Sequence, residues 1–398
     1  MRELNIALIL ECLRRQTPLS RSELAQITGL TKATVSSLVQ ELLEAGTVPG
    51  EKGRPAILLQ LNPDAGYILG AEIGLNFISV ILANFATQVL WRRKEIIPDP
   101  QEQNVVLDHT VQIIRAACDY IKGSTSPVLG LGLGLPGLVN PETGFLRFAP
   151  TLGWKDLPLR DLFEDQLHFQ VCVDTSARMA ALGESYFGAG RGADFVLYLS
   201  LGVELNGGIV LNRRTLTGAV GLAGQVGHMT IESRGARCSC GNYGCWEMYA
   251  SIPALFQRLQ NRQFAGPVSS PLDPAHYELD RLSVEGAVEA ARTGDSRARA
   301  ALDETGWYVG IGLTSLINAL NPQRVVLGGD LSVAHEFIVP AIQAVLQERA
   351  LQGSLGAAEI VIAAHGRDAC MMGGIAHVYQ RVLSRPLEVN FRQTAAFV

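Results

Sequence analysis

Charge is scarce in this sequence. Only 18% of its 398 residues are Asp, Glu, Lys or Arg, and 38 acidic side chains outnumber 33 basic ones. At a net charge of −5 the chain as a whole does not attract nucleic acid or an acidic membrane surface, so any DNA contact has to come from a local surface. Low-complexity tracts are absent. No apolar run reaches the roughly 18–20 residues needed to cross a bilayer, which excludes a membrane-spanning helix. The opening Met1-Arg2-Glu3-Leu4-Asn5 lacks the order of a secretory signal, so a cytoplasmic location is expected. Cysteines number only seven, an odd count, and nothing points to an oxidising compartment, so a disulfide framework is not expected. Hydrophobic residues are plentiful at 47%, and the length suffices for two or three domains with sizeable cores.

Three of the seven cysteines are clustered. His228, Cys238, Cys240 and Cys245 fall within eighteen residues, spaced H-x9-C-x-C-x4-C. Three thiolates and an imidazole make a full tetrahedral set for Zn²⁺ and leave no position open for water, so the expected metal is structural. The alternative is ordinary buried thiols or a disulfide pair. Glu247 lies two residues beyond the last of these ligands, so the metal would pin a loop beside a pocket rather than perform chemistry. Cys12, Cys118, Cys172 and Cys370 sit among apolar neighbours and read as core residues.

The first sixty residues carry a different pattern. Leu4, Ile6, Ala7, Leu8, Leu10 and Leu13 recur at helical spacing up to Arg15, and Pro18 follows. Ser20-Arg21-Ser22-Glu23 is a capping box opening a short helix with Leu24, Ala25 and Ile27 facing inward, stopped by Gly29. Thr31 caps a third helix, Lys32 to Ala45, with Val35, Leu38, Val39, Leu42 and Leu43 on one stripe and Gly46 after its end. A short helix, a tight turn and a longer helix make a helix-turn-helix. The start of the third helix, Thr31, Lys32, Ala33, Thr34, Ser36 and Ser37, is small and polar, which suits entry into the major groove, and Arg21 lies at the start of the second helix. Residues 50–61 read as a hairpin wing with Arg54 at its tip, within reach of a phosphate or the minor groove. Residues 1–62 hold seven basic and six acidic side chains, or +1, against −6 for the remainder. This weak charge leaves open a three-helix packing module without a DNA role.

After the turn-rich boundary at 62–66, strands are expected at 67–74, 78–83, 91–97, 128–135, 171–173, 195–201 and 324–327. Helices are expected at 105–121, 178–187, 284–293, 296–321 (with a possible break) and 336–352, and a loose tail at 386–398. Alternating strands and helices imply α/β layers around buried sheets. Gly130-Leu-Gly-Leu-Gly134 superficially resembles a dinucleotide fingerprint, but it lacks the third glycine at the right offset and runs into Pro136.

Gly224-Gln225-Val226-Gly227-His228, followed by the Cys-x-Cys-Gly-x-x-Gly-Cys-x-Glu run ending at Glu247, resembles the hallmark of the ROK family (repressor, open reading frame, kinase). The blocks Gly134-Leu-Pro-Gly137, Leu152-Gly-Trp154, Ala180 to Glu184, Gly207 to Val210 and Val326 to Gly329 follow in the family's order. The resemblance covers about residues 66–380, and the N-terminal module, with Gly53-Arg54-Pro55, resembles that of the family's repressors. It implies a mixed α/β architecture: a winged helix-turn-helix over 1–62, then a two-lobed actin-like ATPase (ribonuclease H-like) fold over 66–385 with a cleft near 175–247. It also implies a homodimer or tetramer, and a dimer usually meets a two-fold operator.

Family members are sugar kinases or sugar-responsive repressors, so the fold alone does not choose between them. Where the kinases carry Asp-x-Gly-Gly-Thr, this chain has Glu72-Ile73-Gly74-Leu75-Asn76. Where they carry a glycine-rich phosphate loop, it has Gly202-Val203-Glu204-Leu205-Asn206-Gly207-Gly208, with a carboxylate in the place of triphosphate charge. The kinase stretch Asn-Asp-x-Asn maps to Thr175, Ser176 and Arg178, and Ser176 is no general base at neutral pH. Asp174 is expected to point away, restoring the base only if the backbone shifts. With both phosphate cradles and the base altered, no kinase activity and no ATP are expected.

The family's sugar contacts map to Thr175, Ser176, Gln225, His228 and Glu247, with Gly137 nearby, and the first three depart from the pattern. The reading is a DNA-binding transcriptional regulator, expected to repress carbohydrate-metabolism genes. Its partners are operator DNA and a sugar or sugar derivative, whose binding would close the lobes and oppose DNA binding. An active sugar kinase with an added DNA-binding domain, and a DNA-binding factor with a vestigial pocket, stand as rivals.

Overall fold

The runs at 67–73, 128–135 and 171–175 are too apolar to face water, and in the structure they are strands buried almost residue by residue. The structure, a computed structural model, describes residues 2–16, 18–44, 46–48, 58–260, 283–351, 353, 356 and 358–384. The chain divides into two units, residues 1–175 with 374–398, and residues 176–373.

The first unit opens with three helices, α1 (Arg2–Arg15), α2 (Arg21–Thr28) and α3 (Lys32–Glu44). The capping box forms as its sequence implies. The Glu23 N–H donates to Ser20 Oγ at 3.2 Å, the Ser20 N–H donates to Glu23 Oε2 at 2.7 Å, and Gly29 ends the helix at φ +69°. Ile6, Ile9, Leu10 and Leu13 of α1, Leu24 and Ala25 of α2, and Val35, Leu38, Val39 and Leu42 of α3 are buried. The expected inward face of α2 needs correction at Ile27, which is 50% exposed, and of the α1 residues at helical spacing Leu4 and Leu8 are 73% and 40% exposed. On α1 the helical turn carries Ile9 inward instead, because residues three and four apart share a face. Leu19 and Leu59 exchange backbone hydrogen bonds at 3.0 and 2.7 Å, so the chain entering α2 pairs with the chain leaving the wing region. The wing itself, with Arg54, lies outside the described residues, as do Ala45 and the expected tail at 386–398.

The rest of this unit is built on β1 (Tyr67–Ile73), β2 (Phe77–Asn84), β3 (Val89–Ile96), α4 (Gln103–Tyr120), β4 (Val128–Leu135), a small sheet of β5 (Leu138–Asn140), β6 (Phe145–Ala149) and β7 (Trp154–Pro158), α5 (Leu159–Leu167) and β8 (Val171–Thr175). Its main sheet runs β3-β2-β1-β4-β8, an antiparallel meander followed by two parallel strands.

The second unit repeats this plan with α6 (Ser176–Phe187), β9 (Phe195–Leu201), β10 (Leu205–Leu211), β11 (Arg214–Thr215), α7 (Glu247–Ala250), α8 (Ile252–Leu259), α9 (Val284–Arg292), α10 (Ser296–Leu320), β12 (Arg324–Gly328), α11 (His335–Arg349) and β13 (Glu359–Ile362). Its sheet runs β11-β10-β9-β12-β13 with the same antiparallel and parallel pattern. Two sheets of one topology, each in its own unit, give the actin-like fold that the resemblance implied.

Several expectations are corrected here. The 296–320 helix is continuous and ends at Asn321 in the left-handed region, without the possible break. The helix expected from Arg178 starts two residues earlier, at Ser176. The stretch aligned with the kinases' phosphate loop begins as a turn at 202–204 and continues as β10, a strand not expected from the sequence. The small sheet at 138–158, α5, β13 and the last helix, α12 (Ala369–Ser384), are additional. The Gly130–Gly134 run packs closely: a Cβ on Gly132 would lie 2.2 Å from Gly374 Cα in α12. Gly132 thus serves the approach of a helix to a strand, a packing reason for a glycine in the fingerprint-like spacing. No helix among the described residues is long and apolar enough to cross a membrane.

Candidate functional site

The loop from 226 to 246 is folded by its own backbone. The N–H groups of Cys238, Gly244 and Trp246 donate to Asn242, Ala236 and Met229 carbonyls at 2.7–2.8 Å. Gly244, at φ +67°, brings the chain so close to Glu232 that a Cβ would stand 1.7 Å from its carbonyl oxygen. The loop is anchored to α10 by Trp246, buried, whose Nε1 donates to the Tyr308 carbonyl at 2.7 Å. The Tyr249 and Tyr308 rings pack at 4.9 Å, and the Tyr249 hydroxyl accepts from the Ala236 N–H at 2.9 Å.

This folding gathers the four expected ligands. The donor atoms of His228, Cys238, Cys240 and Cys245 all lie within 4.8 Å of one another. Cys238 Sγ is 3.7 Å from His228 Nδ1, and Cys240 Sγ is 3.6 Å from Cys245 Sγ. A tetrahedron with metal–sulfur bonds of about 2.3 Å has edges of about 3.8 Å, so the cluster is compatible with a structural zinc site. Cys238, Cys240 and Cys245 form no disulfide in the structure, unlike the disulfide alternative. Burial pushes the Cys245 thiol up, with hydrogen bonding and charge from Cys240 and Cys238 acting in the same direction. The other four cysteines are buried, as expected of core residues, and burial with the Asp119 charge raises Cys118 to about 12.

The expected effector residues lie in both units. In the first, Thr175 closes β8 and is buried, and Gly137 follows β4 at φ +116°. Asp174 is buried beside Thr175, with Oδ1 accepting the Thr175 N–H at 2.7 Å. In the second, Ser176 opens α6, and its hydroxyl is buried without a partner among the described residues. Gln225 precedes and His228 ends the single turn at 226–228. Glu247 is buried, and its Oε2 accepts from the Leu205 N–H at 2.9 Å. Burial raises the Glu247 carboxyl, while the Leu205 N–H and the His228 charge pull it down. His228 meets the thiol of Cys238 through Nδ1. Glu204 lies in the turn before β10, where its Oε2 accepts from Asn206 at 3.0 Å.

Two features of this unit had no reading in the sequence. The Leu205 backbone receives Glu247, and the buried Arg178 donates to carbonyls of the 221–223 segment. The Gly207-Gly208 pair inside Leu205–Leu211 masked the strand, because the stretch aligns with the kinases' glycine-rich loop.

In the helix-turn-helix, Thr31, Lys32, Ala33, Ser36 and Ser37 are exposed, and Arg21 and Thr34 half-buried. Thr31 Oγ1 accepts the Thr34 N–H at 3.1 Å and lies 2.8 Å from Thr34 Oγ1, the cap expected of it. Thr31, Lys32, Ala33, Ser36 and Ser37 thus stand exposed at the N-terminal end of α3, and Arg21 opens α2.

Known proteins match the chain along its length. A model described as the ROK family matches residues 68–381, and one described as the IclR helix-turn-helix domain matches residues 5–49. The putative xylose repressor of Caldicellulosiruptor sp. (strain Rt8B.4) is 30% identical over 395 residues, 97% of this chain and 98% of that protein. A glucokinase of Halalkalibacterium halodurans is 34% identical over 312 residues, 77% of this chain and 93% of its own. A solved structure described as a ROK family transcriptional regulator, homolog of the E. coli MLC protein, aligns with a TM-score of 0.83 and 28% identity over 98% of both chains.

Proposed function

The chain belongs to the ROK family, and from that premise we propose that it is a DNA-binding transcriptional repressor of carbohydrate-metabolism genes that responds to a sugar or sugar derivative. The observation that carries this reading is the helix-turn-helix, with an exposed polar start to α3, in a chain aligned over 98% of its length with a transcriptional regulator of the family. Domain limits of 1–62 for DNA binding and 66–385 for sensing, a cytoplasmic location, and a homodimer or tetramer reading a two-fold operator belong to the same proposal.

In this reading Lys32, Thr31, Ala33, Thr34, Ser36 and Ser37, with Arg21 and Arg54, meet the operator. Thr175, Ser176, Gln225, His228 and Glu247, with Gly137, bind the effector. Zn²⁺ on His228 Nδ1, Cys238, Cys240 and Cys245 supplies a structural crosslink. His228 keeps its second nitrogen for a sugar hydroxyl, so ligation orients the imidazole for recognition. The replacements at 175, 176 and 225 leave Glu247 as the carboxylate of this set.

The 34% identity to a glucokinase favours a second reading, a sugar kinase carrying a DNA-binding domain. Ser176 as the base and Glu204 in the place of triphosphate charge weigh against it. The test is the thermal stability of zinc-loaded protein with D-xylose, D-glucose and other sugars, with and without ATP. Native-state ligands raise the midpoint by mass action. A rise with sugar alone is expected, a rise only with sugar and ATP together would favour the kinase, and no rise with any sugar would sink the sensing reading.

A further inference from the structure

Arg178 is 1% exposed, in the first turn of α6. A guanidinium leaves water at a cost unless its donors are used. Arg178 Nη1 donates to the carbonyls of Gly221 at 2.8 Å and Ala223 at 3.3 Å. These two carbonyls belong to the chain that runs directly into Gln225 and His228. On its other side that chain is held by β10. The Gly207 N–H donates to the Gly224 carbonyl at 2.7 Å, and Gly224, at φ +98°, admits no Cβ because one would stand 2.2 Å from the Gly207 oxygen. A Cβ on Gly227 would stand 2.1 Å from the Leu205 oxygen, and the Leu205 N–H is the donor to Glu247. β10 in turn rests on α6, since a Cβ on Gly208 would lie 2.4 Å from Ala181 Cβ and 3.2 Å from Arg178 Cα.

The contacts close a ring that runs from α6 through Arg178 to 221–223, across Gly224 to β10, and back from β10 to α6. Gln225 and His228 follow directly on this ring in the chain, and Glu247 is bound to its β10 side through the Leu205 N–H. A short polar side chain at 178 would not span to two carbonyls of the neighbouring segment, whereas the long fork of arginine does. We infer that Arg178 is a positioning residue of the effector site, setting the stance of the 221–228 segment and so the spacing of Gln225 and His228 from Glu247 without touching the effector itself. The effector half of this inference rests on the sugar-sensing reading above, and the positional half does not.

Both halves are tested in the full-length, zinc-loaded protein with Arg178→Met, which keeps the length and removes the donors, and Arg178→Lys, which keeps the charge. Amide hydrogen exchange reads the position. Arg178→Met is expected to raise exchange at least tenfold in 221–228, with α10 and α11 unchanged, and Arg178→Lys to restore part of the protection. Release of operator DNA by D-xylose or D-glucose reads the effector site. The sugar concentration for half-release is expected to rise at least tenfold in Arg178→Met, with operator affinity in its absence changed less than twofold. Unchanged exchange in 221–228, or an unchanged half-release concentration where wild type responds, overturns the inference. Exchange raised equally throughout the unit also overturns it, since that is a merely structural loss. If Arg178→Met does not fold, Arg178→Lys alone decides by the same two readouts. Local exchange in a wild type that no sugar releases would leave the tether standing and sink the sensing reading instead.

Discussion

At the scale of single residues, burial decides which thiols are chemically silent. Cys118, raised to about 12 by burial and the Asp119 charge, holds almost no thiolate near neutrality. Native protein treated with iodoacetamide at pH 8 should therefore carry no label on Cys118, while chelator-stripped protein should label on Cys240, the exposed member of the cluster; mass spectrometry of the peptides reads both. Glu23 shows the opposite direction. The Ser20 N–H and hydroxyl hold its carboxyl below the ordinary glutamate range. A lowered carboxyl contributes stability above its unfolded value and loses it as pH falls through its folded value. Glu23→Gln should thus lower helix-turn-helix stability at neutral pH and converge with wild type in acid, as read by denaturation at several pH values. Equal differences at all pH values would show that the carboxylate charge plays no part.

At the scale of elements, caps and tight loops carry the local order. Replacing Ser20 with Ala removes the side-chain acceptor that satisfies the Glu23 N–H, and a cost of about 1 kcal/mol is expected in chemical denaturation. In the metal loop, Gly244→Ala sets a methyl against the Glu232 carbonyl in the left-handed region. A loss of roughly 1–3 kcal/mol is expected, together with a fall in bound zinc from about one per chain, measured by metal analysis. Retained zinc with unchanged stability would mean that the loop geometry does not hold the ligands together. On α3, Lys32 is exposed at the helix start. Lys32→Ala should weaken operator binding uniformly across sequences and reduce the slope of log affinity against log salt by about 0.9, one phosphate contact. Anisotropy titrations across a salt series measure that slope.

At the scale of the whole molecule, the prediction concerns the reaction the fold hosts elsewhere in its family. Full-length protein with ATP, Mg²⁺ and D-glucose or D-xylose is expected to release no ADP above the sugar-free background. Phosphoryl transfer depends on positioned charge and a base, and in the proposed correspondence with the family's kinases Ser176 and Glu204 stand at positions that need the reverse. Sugar-dependent ADP release would restore the kinase reading. Much of the molecule was legible in one dimension: the capping box, the turn glycine, the stripe of α3, the strands of the first main sheet, β9 and β12 of the second, and the His228–Cys245 spacing. These depend on local periodicity, local hydrogen bonds or ligand counting, which neighbours in sequence determine. Tertiary structure alone decided that Ile27 faces out, that 205–211 is a strand, and that Gly132 meets α12. It also decided that Leu205, 42 residues from Glu247, supplies that carboxylate's donor, and that Arg178 holds carbonyls 43 and 45 residues away. Such contacts are chosen by which surfaces pack against each other, and the spacing of residues along the chain carries no record of that choice.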